Sequence, residues 1–333
     1  GGAVLDEEKA FMALGKALDD ENILVRRNVM QFIEQAEGQY RDRLVRKALQ
    51  QEDPQLLVMA AESVSGAAGT EAASRLEELL RDSPHTEVRV AVANVLGKVG
   101  SEESIPALMG ALDDPAENVR WFAVEGLRKL DASRAVPRIS EVLNNDESAR
   151  VRAIAATTLG ELGQVAGGPA LCQALDDPVE RVREKAISAL LQLAQDSYER
   201  MMPIADAFGK HGLPKESGEV LSRIISSFGD DEKMKDQVAE ARRKLAQIMT
   251  QQGDFAGAAK TYEQLLASGE ATIELQRKLI DSWLKANQPG QAVSALEGWL
   301  STEKDKELPE LAVNLADQFI RQGSFEAAAT VLE

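Results

Sequence analysis

The sequence predicts an all-α protein, an α-solenoid built from stacked helical hairpins. Three observations support this fold class. One motif recurs every 31 or 32 residues in the first half, and a different motif recurs at a longer spacing in the second half. Aromatic residues make up only 4% of the 333 residues, which suits thin, repeated cores better than a few large ones. No segment shows the alternating pattern of a β-strand.

The recurring element of the first half is a Val-Arg pair followed by small and apolar residues at helical spacing. Its copies begin at Val25, Leu57, Val88, Val119, Val151 and Val182. The copy at Leu57 is degenerate, because Val58 stands where the others have arginine. A fixed period between about 20 and 50 residues is typical of solenoid proteins, in which each repeat is one supersecondary unit.

Each copy predicts two helices joined by a short turn. Val119, Ala123 and Leu127 lie four residues apart and form one apolar stripe of the second helix. Ahead of this helix stands Asp114-Pro115, where we expect the aspartate to cap the helix and the proline to be its first residue. The same turn recurs as Asp53-Pro54, Ser83-Pro84 and Asp177-Pro178.

The Asp-Asp-Pro turn, the Val-Arg pair and the Ala and Leu that follow resemble the HEAT family, in particular the short bacterial HEAT-like repeats named after the phycobilisome lyases. We assign residues 1–195 to about six such repeats. The resemblance implies a right-handed superhelix with the second helices on its inner face. It also implies a structural ladder in which repeated arginines pair with acids of neighbouring turns, namely Arg89, Arg120, Arg152 and Arg183.

Another pattern begins after residue 195. An aromatic residue or Met is followed four residues later by Gly or Asn and then by a small residue. The turn residues are Gly212, Gly253, Asn287 and Gly323, and we expect them to adopt the left-handed conformation that ends helices. The pattern resembles the tetratricopeptide (TPR) family, with about three and a half repeats in residues 196–333. The short final helix predicts a truncated chain or a disordered continuation.

Composition limits the classes of function. The net charge is −17, and both halves of the chain contribute to it. Residues 1–195 carry 22 basic and 32 acidic side chains, and residues 196–333 carry 16 basic and 23 acidic ones. An acidic chain is repelled by phosphate, so we expect no nucleic-acid binding. No apolar run approaches about 18 residues, so we expect no direct membrane insertion. Cys172 is the single cysteine, and no catalytic or nucleotide-binding motif is present. We therefore expect no catalytic residue, cofactor, metal or enzymatic activity.

Two rows of residues are candidate partner-binding surfaces. Met59, Val90 and Trp121 lie two residues after the start of successive copies and form an apolar ridge, unless superhelical curvature buries it. In the second half, one helical row carries Asp206, Gln247, Asp281 and Asp317. These acids favour a basic partner, unless they belong to an ordinary solvated face on which Arg277 pairs with Asp281.

The function predicted from these features is a non-catalytic scaffold or adaptor that presents a curved groove to a protein or peptide partner, with a basic partner as one expectation. Two alternatives stay open. In the first, the chain is a lyase-like enzyme or chaperone related to the phycobilin lyases. In the second, it is a soluble interaction module of a larger envelope-associated protein. A cytoplasmic location is favoured, and a periplasmic one stays open if a targeting segment lies outside this sequence.

Overall fold

The computed structural model describes residues 2–35, 39–65, 67–195, 197–302, 308–321, 323 and 325–332. In this part of the chain the regular structure is helical, without strands, and the prediction of an all-α solenoid is confirmed. The chain divides into two compact units, Gly1–Leu193 and Ala194–Glu333, which are described separately. None of the described helices is both long enough and apolar enough to cross a membrane.

The first unit consists of consecutive helical hairpins, in each of which a first helix packs beside a second one. Short 3-10 turns precede or follow several of the helices. The helices are α1 (Gly2–Ala17), α2 (Ile23–Gln35), α3 (Gln39–Ala48), α4 (Pro54–Glu62), α5 (Ala67–Asp82), α6 (Thr86–Val99), α7 (Ile105–Gly110), α8 (Glu117–Lys129), α9 (Val136–Asn145), α10 (Ala149–Leu162), α11 (Gly168–Gln173) and α12 (Glu180–Leu193).

The predicted apolar stripes form the core of this unit. Val119, Ala123 and Leu127 of α8 are fully buried, and Leu108 of α7 is buried with them. Successive second helices approach closely where two glycines meet. A Cβ atom at Gly97 would lie 2.6 Å from the Cα atom of Gly126, so a side chain there would push α6 and α8 apart.

The turns differ in detail from the prediction. Asp53 caps α4 as expected, accepting a hydrogen bond from the Leu56 amide, with Pro54 as the first helical residue. Asp114 and Asp177 instead accept from the amides two residues ahead, and their helices begin at Glu117 and Glu180. These aspartates therefore close the turn itself and do not cap the first turn of the helix.

Both of these aspartates also bind an arginine of the preceding copy, and Asp146 does the same. Arg120 Nε and Nη2 donate to Asp146 Oδ2 and Oδ1 at 2.7 and 3.0 Å, and Arg120 Nη1 donates to the Asp114 carbonyl at 2.9 Å. Arg89 and Arg152 make the same bidentate contact to the next aspartate in the series, Asp114 and Asp177. The expected arginine ladder is thus present for these three.

Arg183 in the last copy makes only the contacts to its own turn. Its Nη1 donates to the carbonyl oxygens of Asp177 and Pro178, which belong to its own turn. In the other arginines the same atom also binds the turn of its own copy, as Arg89 does at the Ser83 carbonyl. Each ladder arginine therefore stabilises its own turn, and three of them add the link to the following repeat.

In the described residues, the second unit forms eight helices arranged as four successive pairs. The helices are α13 (Tyr198–Lys210), α14 (Pro214–Phe228), α15 (Lys235–Gln252), α16 (Phe255–Ala267), α17 (Ile273–Lys285), α18 (Pro289–Thr302), α19 (Leu308–Arg321) and α20 (Phe325–Leu332). All four predicted turn residues have positive φ: Gly212 71°, Gly253 81°, Asn287 57° and Gly323 75°. The left-handed helix ends are confirmed, while the assignment of 196–333 to TPR repeats stays a prediction.

Candidate functional surfaces

The predicted ridge of Met59, Val90 and Trp121 lies on α4, α6 and α8, the second helices of three consecutive hairpins. All three side chains are partly buried, not fully exposed. The row ends at Ala153 of α10, which is buried. The three side chains are therefore less exposed than the sequence pattern predicts, because each is partly covered by the neighbouring helices.

Trp121 has two neighbours that the sequence analysis did not identify. Phe122 lies edge-on to it with 4.9 Å between ring centroids, and the Arg150 guanidinium lies 4.8 Å from the centre of its ring. Arg150 Nη1 also donates to Asn118 Oδ1 at 2.7 Å, which fixes the guanidinium over the indole. Arg150 stands 32 residues after Asn118, so the repeat register could have placed it there. We call Trp121, Phe122 and Arg150 the Trp121 surface.

A charged network links the same two helices further along. Arg128 of α8 donates to both carboxylate oxygens of Glu125 at 2.8 Å, and its Nη1 lies 2.5 Å from Glu161 of α10. The hydrogen bond from Arg128 lowers the pKa of Glu125. Because the network spans α8 and α10, it holds the backbone that carries Trp121 and Arg150 in one arrangement.

The predicted acidic row is largely neutralised. Lys244 Nζ lies 2.5 Å from Asp206 Oδ1. Asp281 pairs with Lys285 and Asp317 pairs with Arg321, each at 2.7 Å. The partner of Asp281 is therefore the lysine one turn ahead and not Arg277, as the sequence analysis considered. The pairing reduces the negative field expected of this row.

Tyr198 of α13 extends the pairs around Asp206. Its hydroxyl donates to Glu240 Oε2 at 3.0 Å, and Lys244 lies 3.4 Å from Glu240 Oε1. Burial, with the neighbouring Glu240 carboxylate, raises the pKa of Tyr198 to about 12. Tyr198 is consequently a neutral donor throughout the physiological range.

A cavity of about 660 Å³ lies among α15, α16 and α17 of the second unit. Gln247 and Asp281 of the predicted row line it, whereas Asp206 and Asp317 are not among its lining residues. Tyr262 also lines it, although only 6% of this residue is exposed and its ring packs in the apolar core. Among the described residues, no group of three or more His, Cys, Asp or Glu is placed to hold a metal ion.

Comparison with known proteins gives two matches in sequence. The family model described as HEAT repeats matches residues 42–120 and 110–191. The phycocyanobilin lyase subunit alpha of Picosynechococcus sp. (strain ATCC 27264 / PCC 7002 / PR-6) is 27% identical over 122 residues, which are 33% of this chain. The chain spans about half the length of this curated relative, 46%.

Several solved structures are similar at low identity. A chain of the complex of CpcE and CpcF of phycocyanin lyase from Nostoc sp. PCC7120 is 18% identical, with a TM-score of 0.40 over 71% of this chain and 93% of that one. Human deoxyhypusine hydroxylase is 18% identical, with a TM-score of 0.35 over 66% and 97%. An engineered protein is 19% identical, with a TM-score of 0.43 over 97% and 96%.

These comparisons correct one expectation and support another. The expectation that the chain has no enzymatic role is wrong, because the curated relative it matches is a lyase subunit. The absence of a catalytic motif in one chain does not exclude a role in an enzyme of several subunits. The match to the repeat family agrees with the pattern of Val-Arg pairs, and residues 42–191 of this chain therefore carry HEAT repeats.

Proposed function

We propose that the protein is a lyase-type subunit that holds a linear tetrapyrrole, or a protein that carries one, on the second helices of its HEAT repeats. The observation that carries this proposal is the sequence match to the phycocyanobilin lyase subunit alpha. The HEAT repeats at 42–191 supply a rigid frame on which such a surface can be built. The activity, like the partner, is proposed and rests on the part of that relative that the chain covers.

The Trp121 surface has the chemistry that such a ligand requires. A linear tetrapyrrole is a flat conjugated molecule with carboxylate side chains. Trp121 and Phe122 offer aromatic area, and Arg150 offers a fixed cation that can bind a carboxylate. About half of the Arg150 side chain is exposed, 49%, and its Nη1 also lies 3.7 Å from Glu117 Oε1, so a ligand carboxylate would compete with Glu117 for this cation.

Titration of the protein with phycocyanobilin, followed by visible absorbance, tests this function. We expect a saturable spectral change. Because a charge-assisted hydrogen bond contributes about 1.5–3 kcal/mol, Arg150→Gln should weaken binding by about 10- to 100-fold. Trp121→Ala should weaken it as well, through lost contact area.

Arg181→Gln is the matched control for the arginine change. Arg181 is also exposed and stands one repeat further along, on α12, away from Trp121. It should leave the affinity within about twofold, since an exposed charge at a distance is screened by salt. An unchanged phycocyanobilin spectrum, or equal affinity of Arg150→Gln and the wild type, would refute the proposed function.

A second candidate function is a protein-binding scaffold, which the partly exposed apolar row of Met59, Val90 and Trp121 favours. We propose that a protein partner packs on this row. Met59→Gln should then reduce the amount of any protein that co-purifies with the chain, while Met12→Gln should not, although Met12 is 59% exposed. Equal losses from the two methionine variants would mean that the row is not the interface.

The three acids Asp206, Asp281 and Asp317 stay a proposed contact for a basic segment of such a partner. Because each already pairs with a lysine or arginine, a basic segment has to displace that cation. We expect the protein to bind a lysine-rich peptide with an affinity that falls steeply as salt is added. An affinity that does not depend on salt would contradict this proposed contact.

A further inference from the structure

The arginine ladder of the first unit is incomplete at its last copy. In each complete ladder pair, the arginine uses Nη1 for a carbonyl of its own turn, while Nε and Nη2 hold both carboxylate oxygens of an aspartate 25 or 26 residues later. The arginines of these pairs are Arg89, Arg120 and Arg152. Arg183 keeps the first part of this pattern, because its Nη1 donates to two carbonyl oxygens of its own turn at 2.7 and 3.2 Å. Within the described part of the chain, its Nε and Nη2 hold no carboxylate.

The sequence explains why this last pair lacks its acid. The positions 25 and 26 residues after Arg183 are Phe208 and Gly209, and neither has a carboxylate. Asp177, in the turn of the same copy, is already bound, since Arg152 holds both of its carboxylate oxygens at 2.7 and 3.1 Å. The last copy therefore supplies the cation of a fourth ladder pair without the anion.

The unfilled side of Arg183 is prepared for a carboxylate. A guanidinium group presents two parallel N–H donors that match the two oxygens of a carboxylate. Because Nη1 is anchored to the turn as in the three complete pairs, we expect Nε and Nη2 to point where those pairs place the acid. Donors that are already fixed lose little freedom on binding. Arg183 is also partly buried, so salt screens its charge less than that of a fully exposed arginine.

The three complete pairs indicate which carboxylate fits. Each acid is an aspartate whose Oδ1 also accepts a hydrogen bond from the amide two residues ahead, at 2.8 or 2.9 Å. These acids are Asp114, Asp146 and Asp177. The carboxylate therefore reaches the arginine from the start of a tight turn, where it is held in place by its own backbone. A free carboxylate lacks this arrangement.

An apolar side chain accompanies Arg183 only in this last copy. Val179 lies one helical turn before Arg183 and is 38% exposed. The corresponding residues of the two preceding copies are Ser148, which is polar, and Ala116, which is small, and both are partly buried. An exposed apolar residue beside a cation suits a protein surface that offers both a carboxylate and apolar atoms.

We propose that Arg183 binds an aspartate at the start of a turn in a partner protein, and that Val179 packs against apolar atoms of the same turn. The partner's aspartate then completes the fourth ladder pair. This site lies on α12 and the turn before it, whereas the Trp121 surface lies on α8 and α10. Either proposal can therefore fail without the other.

The test uses the full chain and a capped peptide with the sequence of residues 111–119, which contains the ladder aspartate Asp114. Titration is followed by the NMR signal of the Arg183 Nε–H group, which is assigned from its disappearance in Arg183→Lys. We expect a saturable shift of this signal. The same peptide with Asp114→Asn should bind at least about 10-fold more weakly, because it loses the charged acceptor.

Variants of the protein test the same contact through the fluorescence anisotropy of a labelled peptide. Arg183→Lys keeps the charge but loses the two parallel donors, so it should weaken binding by about 10-fold. Val179→Ser should weaken it by about 3-fold, through lost apolar contact. Arg181→Lys is the matched control, because Arg181 is exposed on the same helix two residues earlier, and its affinity should stay within about twofold of the wild type.

An Arg183 signal that does not move, or equal affinities for the peptides with Asp114 and with Asn, overturns the proposal. So does equal binding by Arg183→Lys and the wild type. Equal affinity for acetate also overturns it, since the turn would then have no role. The comparison of the two peptides uses the unchanged protein, so it remains decisive whatever an Arg183 substitution does to folding.

Discussion

Removal of one ladder arginine tests how the HEAT repeats are held together. The Arg120 side chain is 7% exposed and that of Asp146 is 5% exposed, so Arg120→Ala leaves a nearly buried carboxylate without its cation. It also removes the donor to the Asp114 carbonyl. Loss of one partner of a buried ion pair costs about 3–5 kcal/mol. The Ser148 amide still donates to Asp146 and offsets part of that cost, so we expect about 3 kcal/mol.

Arg138→Ala is the internal comparison. Arg138 also links neighbouring repeats, through Asp113, but the side chains are 33% and 75% exposed. An exposed pair contributes at most about 1 kcal/mol. Both variants remove an arginine–aspartate pair between neighbouring repeats, but the Arg120 pair is buried and Arg120 also bonds the Asp114 carbonyl, whereas the Arg138 pair is exposed. Urea unfolding followed by circular dichroism gives the two free energies of unfolding.

A loss of less than about 1 kcal/mol in the free energy of unfolding for Arg120→Ala would refute the reasoning that buried ladder pairs stabilise the repeats more than exposed ones. Equal losses for the two variants would refute it as well. Hydrogen exchange gives a second reading of the same variant. Protection should decrease first in α8 and α10, since neighbouring repeats stabilise each other.

Three further predictions concern packing, helix ends and pH. Gly97→Ala should destabilise the first unit by about 1–3 kcal/mol in thermal unfolding, because its Cβ would meet Gly126, whereas Gly110→Ala, with open space around it, should be neutral or stabilising. Asn287→Gly should raise the free energy of unfolding by up to about 1 kcal/mol, and no increase in urea unfolding would count against a strained left-handed residue. The raised pKa of Tyr198, about 12, means that the stability it contributes is complete below pH 10 and is lost as the pH rises towards 12. Tyr198→Phe should abolish this loss, and a wild type and variant that lose stability equally would contradict it.

Local sequence patterns predict the helices and their ends well. Val119, Ala123 and Leu127 were recognisable as core because helical periodicity alone places them on one face. Gly253 and Asn287 were recognisable as helix ends because few residues tolerate a positive φ. The recurring arginines are recognisable because their spacing repeats with the period of the fold, and their pairing with acids of neighbouring turns is what the HEAT resemblance implies.

Contacts between repeats were harder to predict. The repeat register places Arg150 one repeat after Asn118, but its distance to the Trp121 ring depends on how α10 packs beside α8. The choice of Lys285 over Arg277 as the partner of Asp281 depends on side-chain direction on the helix. The expectation of no enzymatic role was wrong for a different reason, because a search for short motifs within one sequence does not detect similarity to a lyase subunit.

We propose that the HEAT repeats hold a linear tetrapyrrole at the Trp121 surface. Hydrogen–deuterium exchange with and without phycocyanobilin tests it most directly. We expect slower exchange in peptides that cover α8 (Glu117–Lys129) and α10 (Ala149–Leu162), with unchanged exchange in α17 (Ile273–Lys285). Unchanged exchange in α8 and α10 at saturating phycocyanobilin, or protection confined to the second unit, would contradict it.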